Sequence, residues 1–238
     1  MSVTRFLDLY QVFSYLRSRP AVVGHGTFVS SNRRIMATVK TIAIIDATTQ
    51  MGSAIAKSLS RSDYRLLLMD DEQSKLDLLN AELVNGGATA ELIPITCAKE
   101  ASWEADVIIL PPQYGIEQQL VEKVKQVAVG KIVISVADPS TSAHTRSAMS
   151  RQTSVAEELQ KMLPYSKVVK AFNATFGDFI FPGASDRKVS TFIAGNNGEA
   201  VETVSRIVDA AGFNPIVAGD LSKSRELEKI ELMIFARA

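Results

Sequence analysis

The chain has a single cysteine, Cys97, among 238 residues, so no internal disulfide can staple it. That suits a reducing compartment. Histidine is nearly as scarce. His25 and His144 are the only two, and neither stands near a plausible nucleophile, which argues against a Ser-His-Asp site. Two histidines and one cysteine do not make a zinc site, and Cys97 is expected to be a small buried side chain rather than a reactive thiol. Neither sign of charge is in excess: Lys+Arg and Asp+Glu both number 26. The chain has no global field with which to hold nucleic acid or an acidic membrane. Long apolar runs are missing too, and none approaches the ~20 residues that a helix needs to cross a bilayer. The expectation is a soluble, cytoplasmic protein that binds neither nucleic acid nor membrane.

What the chain does have is apolar material for a full core, with 46% hydrophobic residues. The first 35 residues differ from the rest. Arg5, Arg17, Arg19, Arg33 and Arg34 face one acid, Asp8, and Phe6 to Leu16 can form a short amphipathic helix. Three readings stand open: an organelle-targeting presequence, an extension upstream of a fold that starts near Met36, or an ordinary N-terminal helix and loop. The extension is adopted here, giving residues 1–35 as the extension and residues 36–238 as one domain.

From Val39 onward, short apolar runs alternate with helix-length amphipathic stretches. Thr41 to Ile45, Arg65 to Met69, Glu91 to Thr96, Val107 to Leu110, Ile132 to Val136, Val168 to Phe172, Thr191 to Ala194 and Pro215 to Ala218 read as strands. Met51 to Ser60, Glu72 to Val84, Ile116 to Val127, Ser154 to Leu163, Glu199 to Ala211 and Leu221 to the end read as helices. Leu76, Leu79 and Leu83 keep the helical i, i+3, i+7 spacing, Ser154 and Glu157 form a capping box, and Gly212 closes the fifth helix. Strands of continuous apolar residues are buried on both faces, which means a parallel sheet. Strand-helix alternation makes the fold α/β and doubly wound, a mostly parallel Rossmann-like sheet in a single domain.

The first strand-turn-helix, Ile44 to Gly52, has the context of a dinucleotide-binding loop but few of its glycines. Such a loop uses one glycine for the tight turn, a second for close approach to the pyrophosphate and a third for helix-strand packing. Only the third, Gly52, is present; Asp46 takes the first place and Thr49 the middle one. A carboxylate ~6 Å from a phosphate charge is repelled by roughly 3 kcal/mol at an effective dielectric near 20. The helix N-terminus offers ~0.3–1 kcal/mol in return. The loop therefore holds a dinucleotide only where Asp46 turns away or is neutralised; otherwise it is a connector. Asp70 lies 24 residues after Asp46, close to the spacing of an acid that binds a ribose 2′-hydroxyl, and with Asp71 it favours NAD over NADP.

The second half carries Ser154-Val155-Ala156-Glu157-Glu158-Leu159, Lys167-Val168-Val169-Lys170-Ala171-Phe172-Asn173, Phe192-Ile193-Ala194-Gly195, Gly212-Phe213-Asn214-Pro215 and Ala218 to Arg225. On these segments, about Val39 to the end resembles the NADP-dependent deazaflavin-coenzyme reductases, whose fold is shared by the ferric-reductase domains of related membrane proteins. The resemblance implies a hydride transfer between a nicotinamide cofactor and a small or flavin-like acceptor. It places the cofactor at Thr48, Thr49, Gln50 and Met51. The family's Ser-Arg pair for the 2′-phosphate is replaced here by Asp70-Asp71, though Lys75 can still reach a phosphate. Pro111 and Pro112 would wall the nicotinamide pocket, and Ala137 and Asn173 stand at strand ends on the same edge. No catalytic residue is named, since hydride transfer between bound cofactors needs proximity more than an acid or base. The alternative is a non-catalytic relative that keeps the fold as a binding or dimer-forming module. The last helix carries Leu227, Ile230 and Ile234 on one stripe, and the family resemblance implies a homodimer through it.

Overall fold

The computed structural model describes residues 40–110, 117–136, 152–172 and 189–235, without the side chains of 117–119 and 230–235. Residues 1–39, with the amphipathic stretch and the targeting and extension readings, and both histidines fall outside the described residues. Val39–Ala238 forms one compact unit.

Eight strands make one sheet: β1 Thr41–Ile44, β2 Arg65–Met69, β3 Glu91–Ile95, β4 Val107–Leu110, β5 Ile132–Ser135, β6 Lys167–Lys170, β7 Ser190–Gly195 and β8 Asn214–Gly219, in the order β3-β2-β1-β4-β5-β6-β7-β8. All pairings are parallel except β6 with β7. The seven α-helices among the described residues are α1 Gln50–Leu59, α2 Gln73–Asn85, α3 Ala98–Glu104, α4 Glu117–Val124, α5 Val155–Met162, α6 Gly198–Ala210 and α7 Ser224–Phe235, the last entered through a 3₁₀ turn at Leu221–Lys223. The doubly wound, mostly parallel sheet expected from the sequence is what forms.

The central strands are apolar on both faces because both faces are covered. Ile42 and Ile44 of β1 pack in a layer with Ile55 and Leu59 of α1, Leu76 and Leu83 of α2, and Val204 and Ile207 of α6. Ala43 and Ile45 face the other way, toward Ala101 of α3, Val121 and Val124 of α4, and Leu159 of α5. Each fully buried isoleucine or leucine contributes ~1.5–3 kcal/mol over an exposed one, so these two layers set the strand register.

Helix α3 was not expected. It is seven residues long, and its buried positions are Ala98, Ala101 and Ser102, too small to leave an apolar period in the sequence. Its end is held instead by Lys131, whose Nζ donates to the carbonyls of Ser102 and Trp103, the favourable place for a cation on a helix. Burial pulls the Lys131 ammonium below the usual lysine range, with Asp106 opposing. Cys97, at the N-cap of α3, is exposed rather than buried as expected; β3, the strand before it, is an edge strand among the described residues.

The capping box of α5 is present and carries more than the sequence suggested. Ser154 Oγ accepts from Glu157 N (3.2 Å) and Glu157 Oε2 accepts from Ser154 N (2.8 Å). From α7, Arg225 donates to both oxygens of Glu157. Glu228, almost wholly buried, takes the amide of Val155 at 3.0 and 3.1 Å. Burial pushes the Glu228 carboxyl up, while Lys170 pulls it down. The Arg225 guanidinium holds Glu157 far down, to about 2 from an ordinary 4.5.

Two expected outcomes follow from these contacts. A Cβ at Gly52 would lie 2.3 Å from the Asp46 carbonyl oxygen and 2.9 Å from Ala47 Cα. These are backbone atoms that no rotamer change moves aside, so Gly52→Ala should cost roughly 2–3 kcal/mol in urea unfolding followed by circular dichroism. Because the Glu157 pKa is depressed on folding, its contribution is present in full above pH 4.5 and is lost as pH falls toward 2. The wild-type unfolding midpoint should drop through that window, and Glu157→Gln should lose the part of the slope that Glu157 provides.

Candidate functional site

Strand order reverses between β1 and β4: β1, β2 and β3 step toward one edge, and β4 returns to the far side of β1. Ligands of open α/β sheets bind at such a switch point, beyond the carboxyl ends of the strands. The β1–α1 turn lies there. Its backbone is pinned on both sides, by Ile45 N to the Ile109 carbonyl (3.1 Å) and Ala47 N to the Met69 carbonyl (2.8 Å). Between them Asp46 has φ +48°, the left-handed conformation that explains why the sequence pattern has a glycine at this place. Aspartate is among the few other residues that adopt it readily.

Thr49 stands in extended backbone, φ −65° and ψ 163°, where no glycine is required. Its hydroxyl donates to the Asp46 carbonyl (2.8 Å) and accepts from Gly52 N (3.2 Å). Thr49 is thus the N-cap of α1, a role visible in the sequence only as a threonine before an apolar run. The next two amides, Gln50 N and Met51 N, have no acceptor among the described residues. The first turn of α1 carries no acid of its own. This is the arrangement that takes a phosphate. Gly52 completes it by letting α1 start directly over the end of β1.

The acids around this end differ in their surroundings. The Asp70 carboxyl accepts from two donors: the Thr48 hydroxyl on Oδ2 and Glu72 N on Oδ1 at 3.1 Å. Asp71 is exposed. Asp46 is half-buried, and no donor reaches its carboxyl among the described residues. Burial pushes the Asp46 carboxyl above the usual range, Asp70 and Asp71 push it further, and Lys123 of α4 works against them. Lys75 is exposed and pairs with Glu72 at 2.7 Å, which raises the lysine and lowers the glutamate.

The structure therefore brings Thr48, Thr49, Gln50, Met51 and Asp70 together at one strand edge. Lys75 stands on the first turn of α2, engaged by Glu72. Pro111, Pro112, Ala137 and Asn173 lie outside the described residues. Their neighbours Leu110, Val136 and Phe172 leave β4, β5 and β6 at the same carboxyl edge. Phe172 has φ +53° while fully buried and meets Phe213 edge-on at 6.5 Å. Left-handed backbone at such a residue costs ~1–3 kcal/mol and persists where the surroundings over-determine it, often beside a functional site. Among the described residues no group of His, Cys, Asp or Glu could hold a metal ion, and no helix is long and apolar enough to cross a membrane.

Residues 41–139 match the family described as NADP oxidoreductase, coenzyme F420-dependent. The F420-dependent NADP reductase of Methanocaldococcus jannaschii is 30% identical over 202 residues, covering 79% of this chain and 88% of the relative. The metalloreductase STEAP3 of Rattus norvegicus is 32% identical over 154 residues, covering 63% of this chain; the matched part is 30% of that protein's length. A crystal structure from Arthrobacter sp. FB24, provisionally named an F420-dependent NADP reductase, superposes with a TM-score of 0.66 at 19% identity, over 82% of this chain and 91% of that one; this likeness bears on the fold. With most of the archaeal reductase covered at that identity, the chain belongs to the F420-dependent NADP oxidoreductase family.

Proposed function

We propose that the chain is a nicotinamide-dependent oxidoreductase that passes a hydride between NAD(H) or NADP(H) and a small or flavin-like acceptor. The observation that carries the proposal is the pair of open amides, Gln50 N and Met51 N, at the positive end of α1 on the switch point of the sheet. A pyrophosphate fits there: Gly52 lets α1 start close over the turn, and Thr49 fixes the turn without occupying the two amides. When bound, the nicotinamide ring supplies the hydride. The protein's share is to bind, orient and keep water out. Thr48, Thr49, Gln50 and Met51 hold the phosphates, Pro111 and Pro112 wall the nicotinamide, and Ala137 and Asn173 complete the cofactor site at the strand ends. The exposed free thiol of Cys97 suits a reducing, cytoplasmic setting.

For the adenosine end, the proposal is NAD(H) in preference to NADP(H). Asp70 is fixed by Thr48 and Glu72 at the end of β2, where it can accept from a ribose 2′-hydroxyl and repels a 2′-phosphate. This departs from the relatives named for NADP. The second reading, a binding or dimer-forming module without catalysis, is favoured by one feature, the Asp46 carboxyl in the phosphate loop. The assembly proposed is a C2 homodimer through α7, with Ile230 and Ile234 at or near the contact; their side chains lie outside the described residues.

Two measurements test this. Calorimetric titration of the purified chain should give saturable binding, tighter for NAD(H) than for NADP(H). A preference for NADPH would show that the acids point away from the adenosine ribose, and absence of binding by either would leave the module reading. Light scattering at micromolar concentration should give twice the 25.8 kDa chain mass, and Ile234→Asp should reduce it toward one.

A further inference from the structure

Three carboxyl groups converge on the phosphate-binding turn from two elements: Asp46 after β1, and Asp70 and Asp71 after β2. Among the described residues the cation that opposes them at Asp46 is Lys123 of α4. Their supports are unequal. Asp70 has two donors and Asp71 is exposed to solvent. Asp46 has neither a donor among the described residues nor full hydration. A crowded acidic site gives up charge at the member whose ionised form is least supported, and here that member stands at the first-glycine position of the loop. The backbone hydrogen bonds of Ile45 and Ala47 pin the turn on either side, so the backbone of Asp46 is held at the start of the loop.

We propose that Asp46 takes part in dinucleotide binding as a carboxylic acid: on binding it takes up a proton from solvent and donates it in a hydrogen bond to a phosphate oxygen held at the amides of Gln50 and Met51. This rests on the dinucleotide reading above. It converts the residue that opposes the pyrophosphate into a donor for it, and it does so without changing the turn. The burial and neighbouring acids that already push the Asp46 carboxyl up lower the cost of the change. The arriving phosphate charge completes it. The sign follows from linkage: a group that binds a proton more tightly in the complex makes affinity rise as pH falls between its free and bound pKa values.

The test is calorimetry of the full chain with NAD⁺ from pH 5.5 to 8.5, in buffers of different ionisation enthalpy. NAD⁺ is chosen because it lacks the 2′-phosphate, a monoester that itself titrates near about pH 6. The wild type should take up as much as one proton per NAD⁺, with affinity falling by up to about tenfold per pH unit across the window. Asp46→Asn and Asp46→Gly both tolerate the left-handed backbone. Each should bind without proton uptake and with flat affinity, roughly ten- to a hundredfold tighter than wild type at the alkaline end. Wild-type binding with flat affinity and no uptake would overturn the role of Asp46 and leave the dinucleotide reading standing, as would uptake that persists in Asp46→Asn. Failure of the wild type and both variants to bind at any pH would overturn both together.

Discussion

At the turn from β1 into α1 the backbone passes itself at a distance that admits no side chain at Gly52. That approach fixes where α1 begins, which way its first amides point, and how closely its apolar face lies on β1 and β2. The usual three-glycine pattern obscures how unequal those positions are. The first asks only for left-handed backbone, which Asp46 provides. The middle one is extended here, and a threonine fits and caps the helix. The third is steric and has no substitute. A loop can therefore lose two of its glycines and keep its shape, while its electrostatics change from neutral to acidic.

Two of the helix N-termini on the carboxyl side of the sheet are treated in opposite ways. At α5 the positive end is filled from within by Ser154, Glu157 and Glu228, with Arg225 closing over Glu157. A carboxyl group from α7, Glu228, thus occupies the place an external anion would take. At α1 the cap is a neutral hydroxyl, and two amides stay open. The contrast separates a helix end used to dock another helix from one left for a ligand.

Much of the fold was legible because its signals are local. Continuous apolar strands, the Leu76-Leu79-Leu83 stripe and the Ser154-Glu157 box each declare themselves within a few residues. The reversal of β7 against β6 was not legible, since period-2 apolar runs carry no direction. Neither was α3, built on alanine and serine, nor the double use of the α5 cap, whose partners lie 68 to 73 residues away. At the site, Gly52, Asp46 and Asp70 could be read as departures from or matches to a pattern. Which acid is supported by donors could not, because Thr48 and Asp70 meet only after β1 and β2 pair. The burial expected for Cys97 failed too: β3, the strand before it, is an edge strand among the described residues, and the sheet order that puts it there is not local.

The lone tryptophan gives the protein an unusual optical character. Trp103 sits at the end of α3, largely exposed, with the Lys131 ammonium 5.9 Å from its ring centroid. An indole already in water and beside a cation emits much as it would in an unfolded chain, so intrinsic fluorescence is a poor gauge of whether the core is intact. It also stands at the amino end of β4 and β5, across the sheet from the α1 amides. Emission from this residue should therefore register the docking of α3 on Lys131 and pass over events at the opposite edge.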